Sequence, residues 1–227
     1  MSKLVPKVPP LPVPGSSRRA AYSASTKKSL VEVALELFTE HGYANASLDA
    51  IVAGAQVTKG ALYHHFSGKQ ALFEAVFTEV EGSTARAVQQ AIKGVKDPWE
   101  QALTGLRSFL EVVQEPSYRR IVIQDGPAVL GYERYREQEE RSAFAVVEGI
   151  VRTVLEATGQ RLDDAMVTTF ARLFFGALSS AGEAVTESTD PIAAAGRVEA
   201  AIGFILTGLR SLAGQSGVDD ATLARQD

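Results

Sequence analysis

The residues best suited to chemistry lie close together, in residues 47–66 of this 227-residue chain. Ser47 and Thr58 each stand just before a short helical pattern, where a side-chain hydroxyl can accept a hydrogen bond from a free backbone N–H. Helix N-termini of this kind also bind phosphate, because their free N–H groups and the positive end of the helix dipole face the anion. Side chains that can donate to a phosphate or a base edge follow within two turns, namely Lys59, Tyr63 and His64. The spacing predicts nucleic-acid recognition rather than catalysis.

Catalytic and metal chemistry find little support. Cysteine is absent, which excludes thiolate metal sites, disulfides and cysteine nucleophiles. The sequence has no Gly-x-Ser-x-Gly elbow, no glycine-rich phosphate loop and no His-Glu-x-x-His pair, and all three histidines fall in the first 65 residues. Ser25-Thr26-Lys27-Lys28 matches a Ser-x-x-Lys pattern, but a helix cap followed by surface lysines explains it better. We therefore expect no catalytic residue, no metal ligand and no cofactor.

Two short helices must position the polar residues. Apolar side chains at helical spacing predict the inner faces and the turn between them, at Leu48, Ile51, Val52, Val57, Leu62 and Phe66. This pattern is typical of a helix-turn-helix, whose second helix enters the major groove of DNA. Gly60 stands at the start of that second helix, although glycine in a helix costs about 0.5–1 kcal/mol relative to alanine. A close approach of another body, such as DNA, would explain the glycine.

The charge distribution agrees with an anionic partner for the front of the chain only. Residues 1–70 contain eight Lys and Arg against four Asp and Glu, a net charge of +4, whereas the whole chain carries −4. Hydrophobic residues make up 45% and charged residues 22%, which is close to the average of soluble globular proteins. The N-terminal prolines interrupt any signal-peptide core, and no stretch of about 18 uncharged apolar residues predicts a membrane span, so we expect a cytoplasmic protein without membrane contact.

The periodicity of the whole chain predicts an all-α fold. Residues 1–22 are expected to form an extended, proline-rich and basic tail, residues 23–70 the helix-turn-helix domain, and residues 71–227 a second helical domain. The first helix is expected to be capped by Ser25 or Thr26 and to end at Gly42. About nine helices are predicted, the others over residues 48–55, 59–65, 69–93, 99–113, 117–124, 132–157, 163–186 and 192–213.

The run from Leu30 to Phe73 resembles the TetR family of bacterial transcriptional regulators. The matching positions are Ala34, Leu37, Phe38, Gly42-Tyr43, Ser47 to Ile51, Val57 to Phe66, Lys69, Leu72 and Phe73. The resemblance implies that one set of residues holds the phosphate backbone, namely Ser47, Thr58, Tyr63 and Lys69. It further implies that Lys59, Gly60 and His64 face base edges. His65 is expected to be structural.

Two positions depart from the family pattern. Gln56 stands where the family usually has a glycine, and Val52 stands where it usually has an alanine. We expect Gln56 to adopt a positive φ at a cost of about 1 kcal/mol, and Val52 to need more room between the two helices.

The last two helices carry more apolar surface than one neighbour would cover, with Phe175, Ala177, Phe204 and Leu206 off the main stripes. A plain core would show the same pattern, but the resemblance implies homodimerisation through these helices and a cavity for an inducer. The candidate ligand residues are Trp99, Phe109, Tyr118, Asp125, Tyr132, Phe144, Phe170, Arg172 and Phe174. The alternative for the aromatic residues is a packed core, for Asp125 a turn, and for Arg172 an ion pair with a neighbouring acid.

Together these features predict a ligand-responsive transcriptional regulator, most simply a repressor. As a homodimer it would bind double-stranded DNA at a palindromic operator and leave it when a small apolar effector binds. Two alternatives are an architectural DNA-binding protein without inducer and a helical enzyme with an accessory helix-turn-helix.

Overall fold

The computed structural model describes residues 16–159 and 162–223. Throughout these residues every regular element is helical and no strand occurs, so the predicted all-α fold is confirmed. The helices are α1 (Ser16–Asn45), α2 (Leu48–Gly54), α3 (Lys59–His65), α4 (Lys69–Ile92), α5 (Pro98–Val112), α6 (Pro116–Tyr118), α7 (Gly126–Leu130), α8 (Tyr132–Glu139), α9 (Ala145–Ala157), α10 (Asp164–Glu187) and α11 (Pro191–Leu223).

The first helix begins earlier than the sequence pattern predicts. Helix α1 starts at Ser16, so the extended conformation expected for residues 16–22 and the cap expected at Ser25 or Thr26 are both wrong. The prolines end at Pro14, and the following arginines and alanines favour a helix, which therefore extends past the expected cap. The rest of the predicted tail, residues 1–15, lies outside the described residues. At the other end, Gly42 leaves the helical conformation at φ 78°, as expected.

Helices α1, α2 and α3 form a compact three-helix unit. Leu30, Ala34 and Phe38 of α1 are completely buried against Ile51 of α2 and Leu62 of α3. The sequence places these residues at spacings of three and four, which puts them on one face of each helix. The predicted inner faces are therefore confirmed.

Helix α4 joins this unit to the rest of the molecule. Its residues Leu72, Phe73, Val76 and Phe77 are completely buried, and they belong to one continuous core that reaches from α1 to α11. Because α4 packs against α1 and against the later helices, a change of its position would alter its contacts with both.

Two segments widen into π-helix where the sequence predicts plain α-helix. Residues Arg119–Asp125 continue from α6, and residues Glu140–Phe144 join α8 to α9. The prediction also missed α7, because Gly126-Pro127 usually marks the end of a helix. Pro127 is tolerated since it stands in the first turn of α7, where no N–H donor is needed.

Helices α10 and α11 are only partly covered. Phe175 and Leu206, predicted to lie off the main stripes, are buried inside the chain. In contrast Phe204 is 82% exposed, and four further large apolar side chains on these helices are exposed, namely Met166, Leu173, Ile192 and Ile205. The segment Pro191–Ser211 is long and apolar enough to cross a membrane by length and composition alone.

Candidate DNA-binding surface and internal cavity

The N-termini of α2 and α3 are capped as the sequence predicts. The Ser47 hydroxyl accepts a hydrogen bond from the backbone N–H of Ala50 at 3.1 Å, and the Thr58 hydroxyl accepts one from the N–H of Ala61 at 3.2 Å. Each cap satisfies one N–H and leaves others of the first turn free for an anion. Both residues are exposed, so the two helix N-termini are accessible from solvent.

The turn between α2 and α3 depends on a strained residue. Gln56 has a φ of 55°, as expected at the position where the family pattern has glycine. The backbone N–H of Val57 donates to the carbonyl of Val52 at 3.1 Å, which closes the turn, and Val52 is accommodated half-buried beside the core. The substitution is therefore tolerated within the motif, at the cost of a conformation that L-residues rarely adopt.

Helix α3 divides cleanly into a buried and an exposed side. Leu62 and Phe66 are buried, whereas the predicted DNA contacts of this helix are all exposed, namely Lys59, Gly60, Tyr63 and His64. A Cβ atom added at Gly60 would meet only the Thr58 hydroxyl at 3.8 Å. Among the described residues no packing requires a glycine at this position, and a close approach of DNA stays the predicted reason for it. His65 is half-buried, and its burial lowers its pKa.

Asp49 is a neighbour of this surface that the sequence analysis did not single out. Its carboxylate lies 2.7 Å from the Lys59 ammonium, and the resulting hydrogen bond raises the pKa of Lys59. Both side chains are largely exposed. The ion pair orients Lys59 and partly neutralises it in the free protein. Only the angle between α2 and α3 brings these residues together.

Lys69, predicted to hold phosphate, is already engaged within the chain. Its ammonium donates to the carbonyl of Ala44 at 3.1 Å and lies 4.6 Å from the centre of the Tyr43 ring. Burial lowers the pKa of Lys69, while the negative charge of Asp125 acts in the opposite direction. Lys69 therefore stabilises the end of α1, and its contact with DNA stays a prediction.

A second candidate site is a cavity of about 160 Å³ enclosed by α4, α5, α6 and the helices from α8 to α11. Its wall is almost entirely apolar. Of the predicted ligand residues the structure places four in this wall, namely Phe109, Tyr118, Phe170 and Phe174. Whether they contact an effector stays a prediction.

Three other aromatic candidates do not line the cavity. Trp99 is buried in a separate cluster with Val154 and Leu206, and Phe144 packs edge-to-face on Phe175. Tyr132 is 76% exposed. Their contact with an effector stays a prediction, because helical spacing alone cannot tell an inward-facing aromatic from one that faces another neighbour or solvent.

Asp125 and Arg172 also lie away from the cavity. Asp125 accepts a hydrogen bond from the backbone N–H of Tyr43 at 2.7 Å and pairs with Arg120 at 3.2 Å, so it ties the end of α1 to the second half of the chain. Arg172 pairs with Glu140 at 3.4 Å and lies 5.2 Å from the ring centre of Phe144. For Arg172 the structure thus contains the ion pair that was the alternative, and contact of either residue with an effector stays a prediction.

The cavity wall contains two carboxyl groups that were not predicted from the sequence. Glu81 of α4 and Glu139 at the end of α8 are 3% and 6% exposed. Burial and the charge of Glu139 raise the pKa of Glu81 to about 8, and burial likewise raises the pKa of Glu139. A signal was present, because Glu81 interrupts the apolar stripe of α4 one turn after Phe77. Among the described residues no three His, Asp or Glu side chains gather as metal ligands.

Polar contacts connect α7 and α8 to α4, the helix that follows the helix-turn-helix. The Gln70 side chain donates to the carbonyl of Val129 at 2.8 Å, and Glu74 accepts from Arg134 at 3.3 Å and Gln138 at 3.2 Å. Movement of α7 or α8 would therefore be passed to the N-terminal part of α4.

Comparison with known proteins agrees with this architecture. A family model described as bacterial regulatory proteins of the tetR family matches residues 30–76, and one described as the C-terminal domain of tetracyclin repressor-like proteins matches residues 99–209. A crystal structure of a TetR-family transcriptional regulator from Pectobacterium atrosepticum is 30% identical, with a TM-score of 0.72 over 83% of this chain and 96% of that chain. The structure of RolR in complex with resorcinol shares the fold, with a TM-score of 0.64 and 22% identity over 86% of this chain and 96% of that one.

Curated relatives match over about half of the chain. The chain is 28% identical over 109 residues to the HTH-type transcriptional regulator SrpR of Pseudomonas putida, which covers 48% of this chain and 51% of that protein. It is 34% identical over 102 residues to the A-factor receptor protein of Streptomyces griseus, covering 45% of this chain and 35% of that protein. The matched segments span 51% and 35% of the length of these two relatives.

Proposed function

The chain belongs to the TetR family of bacterial transcriptional regulators, and from this we propose that it is a ligand-responsive DNA-binding regulator that represses transcription in the cytoplasm. The observation that carries the proposal is the division of α3. Its apolar side chains are buried, while every predicted base-facing residue is exposed beside two accessible helix N-termini. Since the family consists of transcriptional regulators, we propose no enzymatic activity.

The DNA contacts are proposed as follows. Ser47, Thr58 and Tyr63 donate to phosphates, and Lys69 joins them once it is released from Ala44. Lys59 and His64 face base edges in the major groove, and Gly60 allows the backbone to approach the DNA closely.

We further propose that the operator is palindromic and that the regulator is a homodimer. Two recognition helices related by two-fold symmetry bind half-sites about 34–36 Å apart, or a multiple of this distance. The exposed apolar side chains of α10 and α11, Phe204 above all, supply a surface that a second copy would cover. This interface also explains why Pro191–Ser211 is so apolar without invoking a membrane.

The proposed response to a ligand runs through α4. Residues in the middle of this helix line the cavity, whereas Leu72 and Phe73 near its start are buried against α1. A ligand that binds more tightly to one position of α4 shifts the population of dimers towards that position and changes the separation of the recognition helices. A coupling of about 1–3 kcal/mol would weaken DNA binding by about 5- to 150-fold.

Fluorescence anisotropy of a labelled duplex from upstream of the protein's own coding region tests this function. We expect much tighter binding than to a scrambled duplex, and weaker binding by Lys59→Ala and Tyr63→Phe at two salt concentrations. Lys96→Ala, an exposed lysine in the loop before α5, is the matched control and should bind like the wild type. Equal binding of all duplexes would favour an architectural protein, and no binding at low salt would disprove the DNA-binding assignment.

A further inference from the structure

The cavity has a polar end that an apolar effector does not explain. Glu81 and Glu139 are almost completely buried, and both side chains line the cavity. Buried carboxyl groups are costly unless they are paired or hydrogen-bonded, so their presence in an apolar wall requires a reason.

The two carboxyl groups differ in their partners. Glu139 accepts a hydrogen bond from the Tyr135 hydroxyl at 3.2 Å, and Arg136 lies 3.9 Å from its other oxygen. The Glu81 Oε1 atom, in contrast, is buried with no hydrogen-bond partner. The structure therefore contains an acceptor at the cavity that a ligand could satisfy and that the protein itself does not.

The charges around this end of the cavity are mostly negative. Glu81 faces Glu139 of α8 and the Tyr118 hydroxyl, whose hydrogen bonding favours the charged form of Glu81. Glu183 of α10 and Glu140 add negative charge near Glu139, against the single guanidinium of Arg136. The cavity walls supplied by α5, α9, α10 and α11 contain no ionisable side chain among the described residues. No positive charge thus lines the cavity to balance its carboxyl groups.

We propose that the effector is an organic cation, a protonated amine on an apolar body, whose ammonium group binds Glu81 and Glu139 while its body contacts Phe109, Phe170 and Phe174. This inference rests on the proposed function and refines it by naming the class of ligand. The cavity of about 160 Å³ resembles in size the apolar cavity of about 150 Å³ that binds benzene, so a single aromatic ring with a short amine chain suits it.

Cation binding should release a proton. Below a pH of about 8 the Glu81 carboxyl is largely protonated in the free protein, and an ammonium group would favour its charged form. An alkyl amine, with a pKa of about 10, keeps its own charge in this range. Its affinity should therefore rise with pH between 6 and 8, whereas the affinity of a neutral molecule of the same shape should not.

Titration calorimetry on the full chain, without DNA, tests the proposal with three probes of similar shape. These are 2-phenylethylamine, propylbenzene and 3-phenylpropanoate, which carry a positive charge, no charge and a negative charge at pH 8. We expect the amine to bind at least about tenfold more tightly than propylbenzene, since a charge-assisted hydrogen bond adds roughly this factor. If the amine shows no advantage, or if no probe binds, the proposal is overturned.

Substitutions test whether the preference for the amine depends on the two carboxyl groups. Glu81→Gln and Glu139→Gln should each remove most of the preference for the amine and leave propylbenzene binding nearly unchanged. Glu111→Gln, which makes the same change on the exposed side of α5, is the matched control and should keep the preference. Should Glu81→Gln fail to fold, the pH dependence of amine binding by the wild type still decides, because a flat profile between pH 6 and 8 contradicts the role of Glu81.

The operator duplex separates failure of this inference from failure of the proposed function. Release of the duplex by propylbenzene but not by the amine would leave the regulator function intact and disprove the cationic effector. Absence of any duplex binding would disprove the function, while calorimetry would still show whether the cavity prefers a cation.

Discussion

Lys59 occupies two roles that compete for the same ammonium group. In the free protein it is held by Asp49 at 2.7 Å, yet it also stands at the start of the exposed side of α3. Contact with a base edge would require the Lys59 ammonium to leave Asp49 or to donate hydrogen bonds to Asp49 and the base at once. We therefore expect Asp49 to reduce the affinity for DNA, because it neutralises Lys59 and adds negative charge near the proposed phosphate contacts.

Asp49→Asn is therefore expected to strengthen DNA binding. The gain should reach at most about fivefold, because an exposed ion pair is worth about 1 kcal/mol or less. Anisotropy with the operator duplex measures the change, and the gain should shrink at higher salt. Glu111→Gln changes the net charge equally but lies on α5, so it should have little effect. Weaker binding by Asp49→Asn would mean that the ion pair instead positions Lys59 for DNA.

Glu81 makes the stability of the protein depend on pH. Its pKa is raised to about 8 in the folded protein from 4.5, so between these values the folded state holds a proton that the unfolded state has released. The free energy of unfolding should then fall as pH rises, by up to about 1.4 kcal/mol per pH unit. Glu139 acts in the same direction, since its pKa is also raised.

Glu81→Gln should flatten this profile and make the protein more stable than the wild type near pH 8. Urea unfolding at several pH values between 5 and 8.5 measures the effect, with Glu111→Gln as the comparison. Profiles of equal slope for Glu81→Gln and the wild type would show that Glu81 does not titrate as the structure indicates.

At the scale of elements, the π-helical segment Arg119–Asp125 and α7 form the joint between the two halves of the chain. Asp125 at its end accepts from the N–H of Tyr43, and Arg120 covers Gly42, where a Cβ would overlap its guanidinium. Gly126 is also closely packed, because an added Cβ would come within 2.9 Å of the Phe77 ring and 3.1 Å of the Ile121 carbonyl. Wide helical turns of this kind often occur at functional sites.

Gly126→Ala should destabilise the protein by about 1–3 kcal/mol, since the extra methyl group overpacks this joint. Gly149→Ala is the matched control, because Gly149 is a helical glycine of α9 with no atom within 4 Å of an added Cβ. That control should be neutral or more stable by up to about 1 kcal/mol, as alanine favours a helix. Thermal unfolding followed by circular dichroism distinguishes the two, and equal effects would contradict the close packing.

For the whole molecule, binding of both half-sites of an operator requires the proposed dimer. The exposed apolar side chains of α10 and α11 include Phe204 at 82% exposure and Ile192 at 79%. A surface of this kind on two neighbouring helices is typical of a protein interface. Because α10 and α11 pack on the cavity helices, the interface and the cavity share a framework.

Phe204→Glu should convert the dimer to monomers, since a charge would be buried in an apolar interface. Loss of one of two linked half-site contacts should weaken operator binding by about 100-fold or more. Sedimentation velocity and anisotropy measure the two effects. Tyr132→Glu makes the same kind of change at a side chain that is 76% exposed on α8, and it should alter neither. A dimeric Phe204→Glu protein would place the interface elsewhere.

Features that depend on neighbours along the chain could be predicted from the sequence. The caps at Ser47 and Thr58, the positive φ of Gln56 and the end of α1 at Gly42 all follow from contacts within a few residues. Such contacts leave a pattern that can be read before the fold is known. The all-α fold follows for the same reason.

Which side chains from distant helices meet depends on how the helices pack. In the folded chain Lys59 contacts Asp49, and Lys69 contacts Ala44. Tyr132 faces solvent, and Glu81 and Glu139 line the same cavity. These outcomes depend on the angles at which helices cross, and many crossings are compatible with the same helical periodicity. The character of the cavity, on which the proposed class of ligand depends, is therefore fixed by helix packing rather than by any local motif.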